Sequence, residues 1–240
     1  MDRQQTRQNR CVWVGKSLLG LIALCWVCVE STASPSIDGQ EIIIDDFSGN
    51  HVGAFPAGWA TWRKDIRLAR RVYSVQQEDG NAYLHARDDG ASVILRKELR
   101  SWNPKQYPIL TWRWRARVLP KGGDERRRET NDSANAVYVV LSENWFHIPR
   151  TLKYVWSTTV PVGTVYRRPG IGWPYVIVLQ SGPQRLGSWV SERVNVYADY
   201  RRLFGEEPPA RAVGIGLMTD QNSTRAGSEG DYDDFILERR

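Results

Sequence analysis

Arginine side chains are the first candidates for binding chemistry in this sequence. Arg113, Arg115 and Arg117 alternate along one stretch, and Arg96 and Arg100 precede it. Guanidinium groups form paired hydrogen bonds with carboxylate, sulfate or phosphate groups, so an arginine face beside Trp and Tyr rings suits an acidic polysaccharide. A second interpretation stays open, in which these arginines are solvated or paired with glutamate on the outer face of a sheet.

Aspartates near both ends of the predicted domain are candidate metal ligands. Asp45 and Asp46 end the first apolar segment, while Asp231, Asp233 and Asp234 open the last one. If the two segments form neighbouring strands, their carboxylates crowd one end of a sheet, where hard oxygen ligands suit a structural Ca²⁺ ion. The alternative is that these acids face solvent and discourage pairing at the sheet edge.

Motifs of the common catalytic families are absent from the sequence. It contains no Gly-x-Ser-x-Gly, no phosphate-binding loop and no His-Glu-x-x-His. His51, His85 and His147 stand singly in different segments, so a three-histidine zinc site is not expected. Asp132 and Asp220, each beside an asparagine, form a second candidate calcium cluster. We therefore predict no catalytic residue.

The first 33 residues are typical of a secretory signal peptide. Basic residues precede the apolar run 18–29, and small residues follow at 31–34. Cleavage near Ala33 would leave a linker at 34–40 and one domain at 41–240, located in the periplasm or secreted. An uncleaved signal would instead anchor the chain in the membrane.

Removal of the signal changes the chemistry of the mature chain. All three cysteines, Cys11, Cys25 and Cys28, lie in the signal, so the mature chain has neither a disulfide nor a thiolate metal site and depends on its hydrophobic core. The segment also holds four bases and two acids, so the formal net charge falls only from +6 to +4. Export argues against nucleic acid as the partner of this basic chain.

Alternating residues predict the elements that position these groups. Between Tyr107 and Leu119, Trp112 and Trp114 alternate with the arginines, which indicates a half-buried strand with its rings in the core. Further strands are predicted at 41–47, 72–77, 81–87, 91–99, 136–141, 152–158, 175–179, 212–218 and 232–237. The pattern predicts an all-β fold, a two-sheet antiparallel jelly-roll β-sandwich, with one short helix that Asn195 caps and Gly205 ends.

Four separated motifs carry a resemblance to a known family. They are Asn-Asp-Ser-Ala-Asn-Ala-Val-Tyr-Val-Val at 131–140, Leu-Lys-Tyr-Val-Trp at 152–156, Asp-Tyr-Arg with Phe-Gly within 199–205, and Met-Thr-Asp and the residues up to Thr224. They resemble a family of exported bacterial proteins defined only as a domain of unknown function. The resemblance covers about residues 42–237 and implies an envelope protein, without implying a reaction.

Two smaller likenesses concern carbohydrate. The acidic first strand and the ending Asp-Tyr-Asp-Asp-Phe-Ile-Leu at 231–237 are similar to those of carbohydrate-binding jelly-roll modules. Arg-Lys-Glu-Leu-Arg at 96–100 is similar to the Arg-x-Glu-Leu-Arg strand of a family of jelly-roll alginate lyases, which lines an anionic substrate groove. That family's Gln-Ile-His or Gln-Val-His strand and its Tyr-rich C-terminal motif are missing here.

Together these observations predict an exported module that binds a glycan, with an acidic polysaccharide as the candidate, and that does not catalyse a reaction. The five arginines named above are its predicted ligand-binding residues. One alternative is a polysaccharide lyase or hydrolase of the jelly-roll type, and another is a scaffold that binds a second envelope protein.

Overall fold

A computed structural model of the protein describes residues 41–143, 148–168 and 174–239. The predicted signal peptide with its three cysteines, the linker at 34–40 and His147 lie outside the described residues. No helix in the described ranges is long and apolar enough to cross a membrane.

The described chain is built mainly from strands. In chain order these are β1 (Glu41–Asp45), β2 (Tyr73–Glu78), β3 (Asn81–Asp88), β4 (Leu95–Glu98), β5 (Ile109–Val118), β6 (Asn135–Glu143), β7 (Pro149–Ser157), β8 (Val165–Arg167), β9 (Tyr175–Ser181), β10 (Val190–Asn195), β11 (Gly214–Met218) and β12 (Ser228–Glu238). Two α-helices accompany them, α1 (Ile66–Val72) and α2 (Val196–Phe204).

The strands form two sheets that enclose the core. The first sheet has the order β10-β5-β12-β3-β2, with β1 also paired to β12, and the second has the order β4-β11-β6-β7-β9-β8. The predicted jelly-roll β-sandwich is confirmed. One pair departs from the antiparallel pattern, because β9 lies parallel to β7 and is flanked on its other side by β8.

Strand β5 lies inside the first sheet, between β10 and β12. Trp112 and Trp114 are almost fully buried on its inner side, as the alternating pattern predicts. Their rings are 5.4 Å apart, and the Trp112 ring stacks on Phe235 of β12 at 6.5 Å. The arginines of β5 therefore occupy the opposite, outer face of the first sheet.

Helix α2 has the ends that the sequence predicts. The side chain of Asn195 accepts a hydrogen bond from the backbone N–H of Ala198 at 2.8 Å. Gly205 adopts the left-handed conformation with φ of 74°, and its N–H bonds to the carbonyl of Arg201. A serine, aspartate or asparagine cap and a terminal glycine satisfy backbone groups that the helix itself leaves unpaired.

The sequence did not predict α1, β8 or β10. Helix α1 has only 7 residues, of which Ala69 and Val72 are buried. It is therefore too short to show an apolar period in the sequence. In β10 only Val190 and Val194 are buried, and the polar residues between them are typical of a loop. Pairing with β5 makes this segment a strand, which shows that tertiary context overrides local propensity.

Candidate functional site

The arginines of β5 form ion pairs with the neighbouring strand β12. Arg115 Nε and Arg117 Nε each donate to Asp231 at 2.7 Å, and Arg113 Nη2 donates to Asp233 at 2.6 Å. Both aspartate side chains are fully buried. The interpretation in which these arginines pair with acids therefore describes the structure better than an open basic face, although the main partners are aspartates.

An indole ring covers part of this arginine face. The guanidinium carbons of Arg113 and Arg115 lie 4.7 and 4.6 Å from the Trp189 ring centroid, and Arg115 also lies 5.4 Å from the ring of Tyr83. Arg115 Nη1 pairs in addition with Glu78 at 2.8 Å. The guanidinium groups of Arg113, Arg115 and Arg117 largely donate to carboxylates of the same sheet. Anion binding by these three residues therefore stays a prediction.

The two ends of the domain are neighbours, as predicted. Strand β1 pairs with β12 in antiparallel register, and Asp45 lies opposite Phe235. Asp45 Oδ2 accepts from Lys97 Nζ at 2.6 Å and from Trp59 Nε1 at 2.8 Å. Asp234, on the other strand, pairs with Arg113 Nε at 2.8 Å.

Basic and hydroxyl groups therefore satisfy the five terminal aspartates. Hydrogen bonds from Ser48 hold the pKa of Asp46 below its usual value. The described residues contain no group of three or more His, Cys, Asp or Glu side chains arranged for a metal. Calcium binding by Asp45, Asp46, Asp233 and Asp234 stays a prediction, but lysine and arginine already relieve the repulsion on which it rested.

A groove crosses the outer face of the second sheet and has a volume of about 920 Å³. Its floor is formed by β11, where Gly214 and Gly216 alternate with the core residues Ile215 and Leu217. Tyr138 and Val140 of β6 line one side. The rim on the other side carries Trp62, Asp65, Arg96, Glu98 and Arg100. Two of the five predicted ligand-binding arginines, Arg96 and Arg100, therefore line this groove and not the arginine face of β5.

A backbone bridge fixes Trp62 at the rim of the groove. Ala60 and Arg96 exchange two backbone hydrogen bonds of 2.8 Å, which attaches the segment before Trp62 to strand β4. The Arg96 guanidinium lies 4.3 Å from the Trp62 ring centroid. Trp62 nevertheless stays 53% exposed, so a large apolar ring is presented to solvent beside the groove.

Glycine is required in the floor of the groove. A Cβ atom at Gly214 would lie 2.2 Å from the backbone carbonyl oxygen of Lys97 on β4. The close approach of β4 and β11 thus excludes any side chain at this position. Glycine within a strand is a sequence signal for such a close backbone approach.

A smaller pocket of about 360 Å³ adjoins the groove and shares Ser92, Tyr138 and Met218 with it. We call it the end pocket. Its other lining residues are Arg128, Asn131, Arg168, Asp220, Asn222 and Ser223. Groove and end pocket are therefore neighbouring cavities.

Of the predicted pair Asp132 and Asp220, only Asp220 lines the end pocket. Asp220 is 4% exposed, and its burial raises the pKa of its carboxyl. The negative charge of Asp132 also raises the pKa of Asp220, while the charge of Lys153 lowers it. Asp132 itself accepts backbone hydrogen bonds from Ser223 at 3.1 Å and Thr224 at 2.6 Å, so its role is to hold the loop that carries Ser223.

Glu125 is a fully buried carboxyl beneath the loop at 121–131. Its Oε2 accepts from the Ser157 hydroxyl at 2.6 Å, whereas its Oε1 has no partner among the described residues. Burial raises the pKa of Glu125, and the nearby charge of Lys153 lowers it only in part. Ionised Glu125 is therefore a cost to the folded state near neutral pH.

We expect Glu125→Gln to stabilise the fold at pH 7 and to have little effect near pH 3. The raised pKa means that the folded state binds the Glu125 proton more tightly than the unfolded chain, whose glutamate pKa is about 4.3. The contribution of this group to stability is thus lost as pH rises from about 4 through the folded pKa. Urea unfolding at both pH values measures the difference, with the exposed Glu207→Gln as control. An equal effect of Glu125→Gln at both pH values would contradict the assignment.

The sequence did not identify Trp62, Tyr138, Arg128 or Arg168 as binding residues. Trp62 belongs to an aromatic, turn-rich segment that carries no period, and the other three come together only through the sheet order and the loops. A strand with glycine at alternate positions, Gly214 and Gly216, was the one local signal of an open floor.

Solved structures of low sequence identity are among the proteins to which this chain is similar. The family 11 carbohydrate-binding module of the cellulosomal cellulase Lic26A-Cel5E of Clostridium thermocellum is 10% identical and covers 83% of this chain and 95% of its own, with a TM-score of 0.43. The K3 cleaved adhesin domain of Lys-gingipain from Porphyromonas gingivalis is 15% identical, and the match covers 82% of this chain and 99% of that domain with a TM-score of 0.41. Trichoderma harzianum endoglucanase 3 from family GH12 is 12% identical, and the match covers 86% of this chain and 100% of that enzyme with a TM-score of 0.40.

No curated protein matches the chain by sequence. A family model described as "Protein of unknown function (DUF3047)" matches residues 57–236. This range contains all four motifs on which the family resemblance rested. The chain therefore belongs to the DUF3047 family of proteins of unknown function.

Proposed function

We propose that the chain is an exported, non-catalytic module of the bacterial envelope that binds a glycan in the groove on its second sheet. The observation that carries the proposal is the groove itself, a long open surface with a glycine floor and the half-exposed ring of Trp62 at its rim. Sugar rings have apolar C–H faces that pack on an aromatic ring, and their hydroxyl groups hydrogen-bond to charged side chains along the edges.

Two arginines of the rim offer hydrogen-bond donors to an acidic glycan. Arg96 and Arg100 line the groove, and Arg96 Nε is buried without a partner among the described residues. Arg100 pairs with Glu98 at 3.0 Å, but both side chains are more than half exposed, so this pair can rearrange at little cost. Export belongs to the proposal because of the signal-like start of the sequence and the absence of cysteine after residue 28.

A polysaccharide hydrolase or lyase is the second candidate, and one observation favours it. Asp220 lies in the end pocket with a raised pKa, which is the property of a carboxyl that donates a proton. Proton donation alone does not make a site, because a lyase or hydrolase also needs a base or nucleophile with access to the same bond.

A glycan array with neutral and uronic-acid oligosaccharides tests the proposal. We expect the exported protein to bind oligosaccharides and to retain them unchanged. Failure to bind any glycan, while circular dichroism shows an intact β fold, would overturn the proposal and favour the scaffold alternative. Release of new reducing ends, or of unsaturated uronic-acid product absorbing in the ultraviolet, would establish an enzyme instead.

A further inference from the structure

The end pocket differs from the groove in its charge. Arg128 and Arg168 both line it, and within the described ranges neither has a carboxylate within 4.0 Å. Their neighbours in sequence behave differently, since Arg126 and Arg127 both pair with Asp124, at 2.8 and 3.9 Å. Two guanidinium groups without a carboxylate partner at one small pocket, which also contains the carboxyl of Asp220, leave donors that a ligand or solvent can satisfy.

The same pocket presents an unpaired acceptor from its buried wall. Asn131 is 8% exposed, and its Oδ1 has no hydrogen-bond partner among the described residues. A buried amide oxygen without a donor is costly, because it has lost water and gained nothing in exchange. Asp220 adds a second buried acceptor, occupied in part by the backbone N–H of Asn222 at 3.2 Å. Both acceptors match the hydroxyl groups of a sugar.

The third feature is an apolar patch that the pocket shares with the groove. The Tyr138 hydroxyl contacts the sulfur of Met218 at 3.5 Å, and both side chains line both cavities. A saccharide chain that occupies both the groove and the end pocket therefore contacts Tyr138 and Met218 where the two cavities adjoin. The smaller volume, near the lower end of the roughly 300–1,000 Å³ of ligand pockets, suits a single sugar unit.

We propose that the end pocket binds one hexuronic acid unit of the glycan, with its carboxylate held by Arg128 and Arg168 and its hydroxyl groups by Asn131 and Asp220. This inference rests on the proposed function for the position of the rest of the chain, which lies in the groove. A planar carboxylate accepts from two guanidinium groups at once, so it pairs with both and compensates one of their two positive charges. A neutral hexose would leave both cations unpaired, and the pocket therefore selects for acidic glycans.

Calorimetry with oligogalacturonate and its fully methyl-esterified form tests the inference, because the two ligands differ only in charge. We expect the wild type to bind the acid at least tenfold more tightly than the ester at low salt. Arg128→Gln and Arg168→Gln should each weaken acid binding roughly tenfold and leave ester binding unchanged. Arg127→Gln is the matched control, since Arg127 lies beside Arg128, is exposed and does not line the pocket.

The outcomes separate this inference from the proposed function. Equal affinity for acid and ester, or an acid preference that survives both substitutions, would overturn the assignment of a hexuronic acid site to the end pocket. It would leave the proposal of glycan binding in the groove unaffected. Loss of acid binding in Arg127→Gln as well would show that general surface charge, and not the pocket, makes the selection. Tighter binding of a sulfated oligosaccharide than of the uronate would overturn the assignment to a carboxylate. No binding of either ligand, while another oligosaccharide of the array binds, overturns the inference and leaves the proposed function standing, whereas no binding of any glycan overturns both.

Discussion

Asp231→Asn is expected to destabilise the fold by about 3–5 kcal/mol, the usual cost of breaking a buried ion pair by removing one partner. Asp231 is fully buried and accepts from Arg115 and Arg117, and its Oδ1 lies 2.8 Å from His85 Nδ1. Asparagine is similar in size but carries no charge, so Arg115, which is 7% exposed, keeps a buried charge that Glu78 alone must balance. Urea unfolding of both proteins measures the difference.

Asp89→Asn is the matched control for this prediction. Asp89 pairs with Arg71 at 3.6 Å, and the side chains of Arg71 and Asp89 are 61% and 62% exposed. Exposed pairs contribute at most about 1 kcal/mol, because water screens both charges. Equal destabilisation by the two substitutions would contradict the network as a structural element and return the arginine face to the candidates for ligand binding.

Trp62→Ala is expected to weaken glycan binding by about 2 kcal/mol, or roughly 30-fold in Kd. The ring is exposed at the rim of the groove, so its removal deletes a stacking surface without opening a cavity in the core. The fold should therefore stay intact, and thermal melting should give a Tm close to that of the wild type.

Trp189→Ala provides the control on the opposite side of the sandwich. Trp189 covers Arg113 and Arg115 on the first sheet, away from the groove. Its removal should leave glycan affinity unchanged. A gain in affinity for acidic glycans in Trp189→Ala, with no loss in Trp62→Ala, would place the binding surface on the arginines of β5.

Secondary-structure elements that depend on neighbouring residues along the chain were predicted from the sequence. Alternation in β5 separates buried tryptophans from outward arginines, and the caps of α2 at Asn195 and Gly205 follow from backbone chemistry that each residue satisfies alone. The pairing of β1 with β12 was the condition on which the calcium hypothesis depended, since first and last strands are neighbours in many β-sandwiches, and the structure fulfils it.

The roles of the arginines could not be predicted in the same way. A period of two says which face Arg113 and Arg115 occupy, but not what stands beside them. Their partners come from the register of β12, which places Asp231 opposite Arg115 and Asp233 opposite Arg113. Register between strands so distant in sequence depends on the whole sheet, so the same pattern fits an open basic face and a closed ion-pair network equally well.

The groove could not be predicted from the sequence for a related reason. The outward positions of its floor strand are Gly214 and Gly216 before Met218, and the bridge between Ala60 and Arg96 fixes its aromatic rim. Loops supply most of the residues that line its end pocket. None of these has a sequence period. Arg96 and Arg100 were named in advance because they lie close in sequence to the arginines of β5, and Asp220 was named as a candidate calcium ligand; the structure places the two arginines at the rim and Asp220 in the end pocket.

The most direct test of the account is a nuclear magnetic resonance titration of the protein with its best-bound oligosaccharide. Backbone amide shifts report which strands the ligand touches. The account predicts that the changes concentrate in β4, β11 and β6 and in the Trp62 indole, on the outer face of the second sheet. Changes confined to β5 and β12, around Arg113, Arg115 and Arg117, would contradict it.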